Sequence, residues 1–243
     1  TTLPDSTFEG CSKLTTISAL PNHLVRIGTN AFYGCLVLSK ITIPSTVKEI
    51  GANAFNNCRS LSEINVPDSI SVIEEGTFYQ CQVLSTFHIP TSLTTIGNRA
   101  FQGCYALSSM DLSSTKLSTI GETAFYGCSA LKSVKFPSTL KTVKRAAFKS
   151  CTELTSVLFE DGLETIEEDA FADFVKLYKV YLPKSVKGIG TMAFASLTKE
   201  AKTIHICFEA DSFSNSFGEN VKFCYADSRS EVKYSVTRSM YET

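Results

Sequence analysis

A phenylalanine returns every 23 or 24 residues along most of the 243-residue chain, and this period constrains the fold more than any other feature. The positions are Phe8, Phe32, Phe55, Phe78, Phe101, Phe125, Phe148, Phe171 and Phe194. A cysteine follows three residues later in the first seven copies, and a leucine comes three residues after it. Self-similarity at a short fixed period predicts a solenoid, in which each copy contacts only its neighbours.

Each copy contains a short stretch in which apolar and polar residues alternate, such as Ile-Asn-Val at positions 64–66. Alternation is the period of a half-buried strand. Pro67 follows at once and ends that strand, because proline cannot donate to a ladder. Elsewhere in the copy, apolar residues lie three apart, as at Phe55, Cys58 and Leu61. We expect tight turns and short helical or 3-10 segments there, since no copy has room for a longer helix.

Stacking of the coils, about 4.8 Å apart, should place equivalent apolar residues one above another in a continuous core. The residues predicted to form its two main columns are Phe32, Phe55, Phe78, Phe101, Phe125 and Phe148, with Cys58, Cys81, Cys104 and Cys128. Later copies carry Phe174 and Leu197 in the cysteine position, which is typical of a site for a small buried hydrophobe. We therefore favour buried free thiols over disulfides, metal binding or catalysis in this column.

Cys207 and Cys224 lie outside that column and occupy the same position in the last two predicted strands. Cα atoms of neighbouring strands in register lie about 4.8 Å apart, within the range of a disulfide. A Cys207–Cys224 bridge is therefore possible. Stacked reduced thiols remain the alternative.

The charge pattern argues against several classes of partner. The net charge is −1, without a run of lysine or arginine, so a nucleic-acid or anionic-membrane surface is not expected. No apolar run approaches the roughly 18 residues of a membrane span. The chain opens within a repeat, with Leu3 in the position of Ile27, so we expect a mature or trimmed fragment.

Catalytic and metal-binding constellations are also not predicted. The three histidines are several coils apart and cannot share a metal ion. His88 and Asp111 fall on adjacent coils like part of a catalytic pair, but no glycine-rich turn or oxyanion site accompanies them. We predict no catalytic residue, no metal and no cofactor.

The outward residues of the strands form the face on which we expect a partner to bind. In the first coils these residues are small and polar, whereas the later coils carry larger ones. The candidate contact residues are Lys135, Leu158, Tyr178, Lys179, Tyr181 and His205. Tyrosine offers rigid apolar area with a polar tip and often dominates interfaces. The alternative is that Leu158 and Tyr181 merely stack on each other along the face.

The repeat consensus IGxxAFxxCxxLxxIxIPxxV, which covers roughly residues 3–206, resembles the BspA-like leucine-rich repeats of bacterial and protist surface proteins. The resemblance implies an α/β repeat fold. It would be a right-handed leucine-rich-repeat solenoid with parallel β-strands on the concave face and short helical or 3-10 turns and loops on the convex side. We predict about nine coils over residues 1–206. Residues 207–243 would form a degenerate last coil and a C-terminal cap or linker.

The resemblance also implies a function. It predicts a non-enzymatic protein-binding module, extracellular or on the cell surface, that adheres to a protein ligand such as a host extracellular protein through the concave face. We expect a monomer without direct membrane insertion. The alternative is a structural spacer domain of a larger surface protein.

Overall fold

The computed structural model describes residues 1–195 in full and, beyond them, the backbone of the strands His205–Phe208 and Cys224–Tyr225. Every regular element in this part of the chain is a short parallel strand, and the strands form two rows. Strands pair with their equivalents one repeat away, apart from one interruption in each row, so the chain coils in one direction without doubling back. The fold is the solenoid of parallel strands expected from the phenylalanine period.

The first row contains the alternating stretches predicted as strands. It consists of β3 (Lys40–Thr42), β5 (Glu63–Asn65), β7 (Thr86–Phe87), β9 (Ser109–Asp111), β11 (Ser133–Lys135), β13 (Ser156–Leu158), β15 (Lys179–Leu182), β17 (His205–Phe208) and β18 (Cys224–Tyr225). In the three-residue strands the middle side chain is buried and its neighbours face outward. The outward side of this row is the predicted concave face, called the strand face below.

A second row of two-residue strands was not predicted. It consists of β1 (Thr2–Leu3), β2 (Arg26–Ile27), β4 (Glu49–Ile50), β6 (Val72–Ile73), β8 (Thr95–Ile96), β10 (Thr119–Ile120), β12 (Thr142–Val143), β14 (Thr165–Ile166) and β16 (Gly188–Ile189). The second residue of nearly every pair is buried, as at Ile50 and Ile73. Each pair is too short to show alternation, so the apolar spacing there predicts only a turn.

The phenylalanines form an unbroken ladder of stacked rings from Phe8 to Phe194. Neighbouring ring centroids lie 4.9–5.7 Å apart with nearly parallel planes. The rings from Phe32 to Phe171 are at most 1% exposed, whereas Phe8 in the first coil is only partly buried. Burying one such side chain stabilises the fold by roughly 1.5–3 kcal/mol before entropy is counted, so the ladder is the main apolar column of the core.

The turns between the rows contain no helix in the residues that the structure describes, so the predicted helical and 3-10 segments, and with them the α/β class, are wrong there. The amides of Ala31 and Tyr33 donate to carbonyls three residues back. The amides of Asn30, Phe32 and Gly34 donate instead to the next coil. A helix needs consecutive amides bonded within their own turn. The three-residue spacing that suggested helices is the spacing of these turns.

The cysteine column lies beside the ladder. Six of its members are buried free thiols, Cys35, Cys58, Cys81, Cys104, Cys128 and Cys151, and Cys11 in the first coil is an exposed free thiol. Each buried S–H donates to the carbonyl of the phenylalanine in the preceding coil, with sulfur–oxygen distances of 3.2–3.3 Å. Burial raises the pKa of the Cys35 thiol to about 11 and that of the others further.

Candidate interaction surface on the strand face

Five of the six predicted contact residues come together on the strand face of coils six to eight, where coils are numbered by their phenylalanine from Phe8 in coil one to Phe194 in coil nine. The register of β11, β13 and β15 aligns Lys135 with Leu158, and Leu158 with Tyr181. Lys179 lies in the neighbouring column of β15, and Tyr178 directly precedes it in the chain. Because adjacent strands are about 4.8 Å apart, these residues form one continuous area. We call Lys135, Leu158, Tyr178, Lys179 and Tyr181 the tyrosine patch.

Two large side chains of the tyrosine patch remain in solvent. Leu158 and Tyr178 are each 52% exposed. Strand alternation forces Leu158 outward, because its neighbours Val157 and Phe159 are 1% and 3% exposed. Tyr181 is partly buried, as expected if it stacks on Leu158 along the face. Even so, about half of the Leu158 side chain remains exposed. The patch therefore combines apolar area with a phenol, a combination enriched at protein interfaces.

The charge of Lys135 in the tyrosine patch is paired with that of an aspartate. Nζ of Lys135 lies 2.7 Å from Oδ2 of Asp111 on the preceding coil. The Lys135 ammonium, and then the hydroxyl and amide of Ser113, lower the pKa of Asp111 to about 2. Because that pKa lies below the ordinary value of 3.8, the pair stabilises the fold at neutral pH, and this contribution is lost as the pH falls through the folded pKa. Both side chains are mostly exposed, so the contribution is small.

His88 does not meet Asp111, so the resemblance of these two residues to a catalytic pair is wrong. Nε2 of His88 lies 3.4 Å from Oδ1 of Asp68 in the preceding coil. Asp68 also accepts the amide of Thr91 at 3.0 Å. Register along the chain could not reveal this partner, because Asp68 belongs to the turn that follows a strand and not to the strand itself.

The register places His205 differently from the prediction. The repeat spacing, with His205 24 residues after Tyr181, predicts that the two share a column, but the strand pairing aligns His205 with Lys179. The strand begins at His205 and pairs Ile206 with Val180, whereas the alternation of residues 204–206 suggested a start earlier in the chain. The side chain of His205 lies outside the described residues, so its role in binding stays a prediction.

The same strands align Cys207 with Cys224 along the backbone. Both side chains lie outside the described residues, so the disulfide and its alternative of reduced thiols stay predictions. The predicted boundary at residues 206 and 207 also falls in this part of the chain and stays untested.

A groove on coils two to four was missed by the sequence analysis. It has a volume of about 450 Å³ and is lined by outward residues of β3, β5 and β7, by His88 and by the ring of Phe87. Phe87 is partly exposed, although its equivalents Ile41 and Ile64 are 4% and 3% exposed. The sequence feature that could have indicated the groove is the size of Phe87, since the other strands carry isoleucine, valine or methionine in its position.

Neither a metal centre nor a membrane span is found in the part of the chain that the structure describes. Its histidine, cysteine, aspartate and glutamate side chains form no group of three or more able to hold a metal ion. Nor does this part of the chain contain a helix whose length and hydropathy would let it cross a bilayer.

Comparison with known proteins identifies the repeat. The model of the BspA type leucine rich repeat region matches in six copies, over residues 1–116 and 94–222. No curated protein matches the chain. A leucine-rich repeat protein from T. pallidum is 30% identical over 73% of this chain and 71% of that one, with a TM-score of 0.53.

Two further solved structures are similar to the chain. The pneumococcal vaccine antigen PcpA is 18% identical over 82% of this chain and 64% of its own, with a TM-score of 0.50. A leucine-rich repeat protein from Bacteroides ovatus is 25% identical over 93% of this chain and 75% of its own, with a TM-score of 0.43. With the family model spanning most of the sequence, the chain belongs to the BspA-type leucine-rich repeat family.

Proposed function

We propose that the protein is a non-enzymatic binding module whose tyrosine patch contacts a protein partner. The observation that carries this proposal is the exposure of Leu158 and Tyr178, on neighbouring coils, at a strand face whose outward residues are otherwise mostly polar. An exposed leucine alone would need no explanation, but a leucine together with two tyrosines in one area matches the enrichment of aromatic residues at interface centres.

The scaffold supports such a role because it holds the tyrosine patch in place. Val157, Val180 and Leu182, the inward neighbours of the patch residues, are buried in the core at 0–1% exposure. Parallel ladders join the three strands that carry the patch. A partner would therefore meet side chains whose backbone is already ordered, which lowers the entropy lost on binding.

We place this binding at the cell surface or outside the cell, with adhesion to a host extracellular protein as the expected outcome. The BspA-type family and the similarity to a structure described as a vaccine antigen support this location. A structural spacer is the competing function, since a solenoid can also hold a neighbouring domain away from a surface.

An array of host extracellular proteins tests the proposal. We expect saturable binding of the wild-type chain to at least one of them, and loss of that binding in the double variant Leu158→Ser, Tyr178→Ser. Val83→Ser is the matched control, because Val83 is 45% exposed but lies on coil four. Binding that survives the double variant would refute the role of the patch. Absence of saturable binding by the wild type would favour the spacer.

A further inference from the structure

The strand face opens between coils four and five. β7 pairs with β5 and β9 pairs with β11, but no ladder joins β7 to β9. One coil earlier, the amides of Ser85 and His88 donate to coil three at 3.0 and 3.5 Å. The equivalent amide of Ser108 makes no backbone hydrogen bond to coil four, and Asp111 has a strand partner only in β11, although both segments are fully described. Two strand edges inside the solenoid are therefore left unpaired.

The opening is confined to the strand face. On the opposite side the rings of Phe78 and Phe101 stack at 5.4 Å, and the amide of Gln80 donates to the carbonyl of Gln102 at 2.8 Å. In the second row β8 and β10 pair normally. Coils four and five are thus held together on two sides and separated on the third, which forms a cleft.

We attribute the cleft to Phe87, whereas the break in the second row, between β4 and β6, has no such ring beside it. The ring of Phe87 lies edge-on between two rings of the ladder, 5.4 Å from Phe78 and 4.9 Å from Phe101. An aromatic ring in a position that holds isoleucine in coils two and three overfills the core, and overfilling displaces the backbone. Both inward residues of this coil, Phe87 and Ile89, are in consequence only partly buried. The floor of the cleft is apolar and reaches solvent.

The groove beside the cleft is polar but carries little uncompensated charge. Lys40 and Glu63 pair with each other at 2.5 Å, and His88 faces Asp68. The remaining outward side chains that line the groove are uncharged hydrogen-bonding groups, Thr42, Asn65 and Thr86. A charged ligand would have to compete with pairs already formed, so the lining favours an uncharged one.

We propose that this cleft binds an extended, uncharged segment of polypeptide, with an apolar side chain seated against Phe87 and Ile89. Unpaired amides and carbonyls at strand edges need donors and acceptors at strand spacing, and an extended peptide backbone supplies both. We call Phe87, Ile89, Ser108 and Asp111 the coil-four cleft. It shares no residue with the tyrosine patch, although Asp111 pairs with Lys135 of that patch, and it forms a second site.

Hydrogen exchange tests the geometry without a ligand. The amides of Ser108 and Asp111 should exchange faster than those of their equivalents Lys132 and Lys135, which lie in the continuous ladder. The variant Phe87→Ile restores the residue found in coils two and three and should return protection to both amides. Equal protection at the two junctions of the wild type would overturn the cleft.

Binding is tested by amide chemical shifts with three probes, namely a blocked Thr-Leu-Ser-Ile-Thr peptide, a blocked all-serine peptide of the same length, and maltotriose. The apolar peptide should shift residues 85–89 and 108–112. The all-serine peptide and the trisaccharide should shift them far less. No shift with the apolar peptide, or a stronger response to maltotriose, would overturn the proposal.

Two variants locate the site. Phe87→Ile should lower the affinity for the apolar peptide about tenfold or more, because it closes the cleft. Leu158→Ser should leave that affinity unchanged. Protected amides in Phe87→Ile show that this variant is folded. If Phe87→Ile binds as well as the wild type, the proposal fails. If Leu158→Ser abolishes peptide binding, the peptide sits on the tyrosine patch, and the cleft proposal fails while the proposed function stands.

Discussion

Side chains in the two main columns of the core are held by different forces. Phe101 is fully buried and contributes through dispersion and loss of apolar surface to water. Cys104, beside it, is small and adds a weak hydrogen bond from its sulfur to the carbonyl of Phe78. That carbonyl also accepts the amide of Cys81, so the thiol uses its second lone pair. At this scale the repeat fixes both the size and the polarity of each position.

Phe101→Ala should be strongly destabilising. The substitution leaves a cavity between Phe78 and Phe125, which stack on either side of the ring. We expect a loss of about 3–5 kcal/mol in the free energy of unfolding, measured by chemical denaturation. Tyr105→Ala is the control, because Tyr105 is 46% exposed and should change stability by only about 0.5 kcal/mol. A similar denaturation midpoint in the two variants would contradict the ladder.

Thiol labelling should separate Cys11 from the rest of its column. Cys11 is exposed, whereas the other six described thiols of the column are buried and have a raised pKa. Under native conditions we expect a disulfide reagent to modify Cys11 rapidly and Cys35 to Cys151 only on unfolding, because the thiolate is the reactive form. Mass spectrometry of the labelled peptides assigns each site. Rapid labelling of Cys104 in the folded protein would contradict its burial.

The turns decide how one coil is joined to the next. In each complete described coil, φ is positive two positions before the phenylalanine and two positions after it, as at Asn30 and Gly34. Coil seven has a third such residue, Gly162. The two residues on either side of the phenylalanine reverse the chain so that alternate amides point to the neighbouring coil. Asparagine and glycine suit this conformation, whereas a β-branched residue is strained in it. Thr123, with a φ of 51°, is such a residue.

Thr123→Asn should therefore stabilise the protein. Asparagine occupies the equivalent positions 30 and 53 at φ angles of 55° and 56°. We expect a gain of about 0.5–1 kcal/mol, seen as a higher thermal midpoint. The reciprocal change Asn30→Thr should lower the midpoint by a similar amount. A lower midpoint for Thr123→Asn would show that strain at this turn is not released by the exchange.

Contacts in the molecule as a whole run almost entirely between adjacent coils. Ion pairs follow the same rule, as in Lys176–Glu153 and Lys187–Glu164, each 2.7 Å long and one repeat apart. Stability in such a solenoid is approximately a sum of coil and nearest-neighbour terms. Removal of a terminal coil should therefore expose the coil next to it and leave the distant coils folded.

Deleting residues 1–23 tests this rule. Cys35 would then belong to the first coil, without the carbonyl of Phe8 that its thiol now contacts at 3.2 Å. We expect the shortened chain to fold and Cys35 to be labelled rapidly, while Cys58 remains protected, as judged by mass spectrometry and circular dichroism. Loss of the whole circular dichroism signal would show that the coils do not fold as nearest neighbours.

Much of the molecule could be predicted from the sequence because equivalent residues of a solenoid must stack. The period identified the columns, the alternation at residues 156–158 identified Leu158 as outward-facing, and the register then brought Leu158 beside Lys135 and Tyr181. All three of these inferences depend only on spacing along the chain, which the sequence states directly.

Tertiary structure decided the remainder. Alternate turn amides bond to the next coil, so the predicted helices do not form; His88 turns to Asp68; and one ring, Phe87, separates two strands. Each outcome depends on which donor, acceptor or volume the neighbouring coil presents. Spacing specifies which residues become neighbours, but the packing and hydrogen bonding between those neighbours are settled only when the coils are stacked.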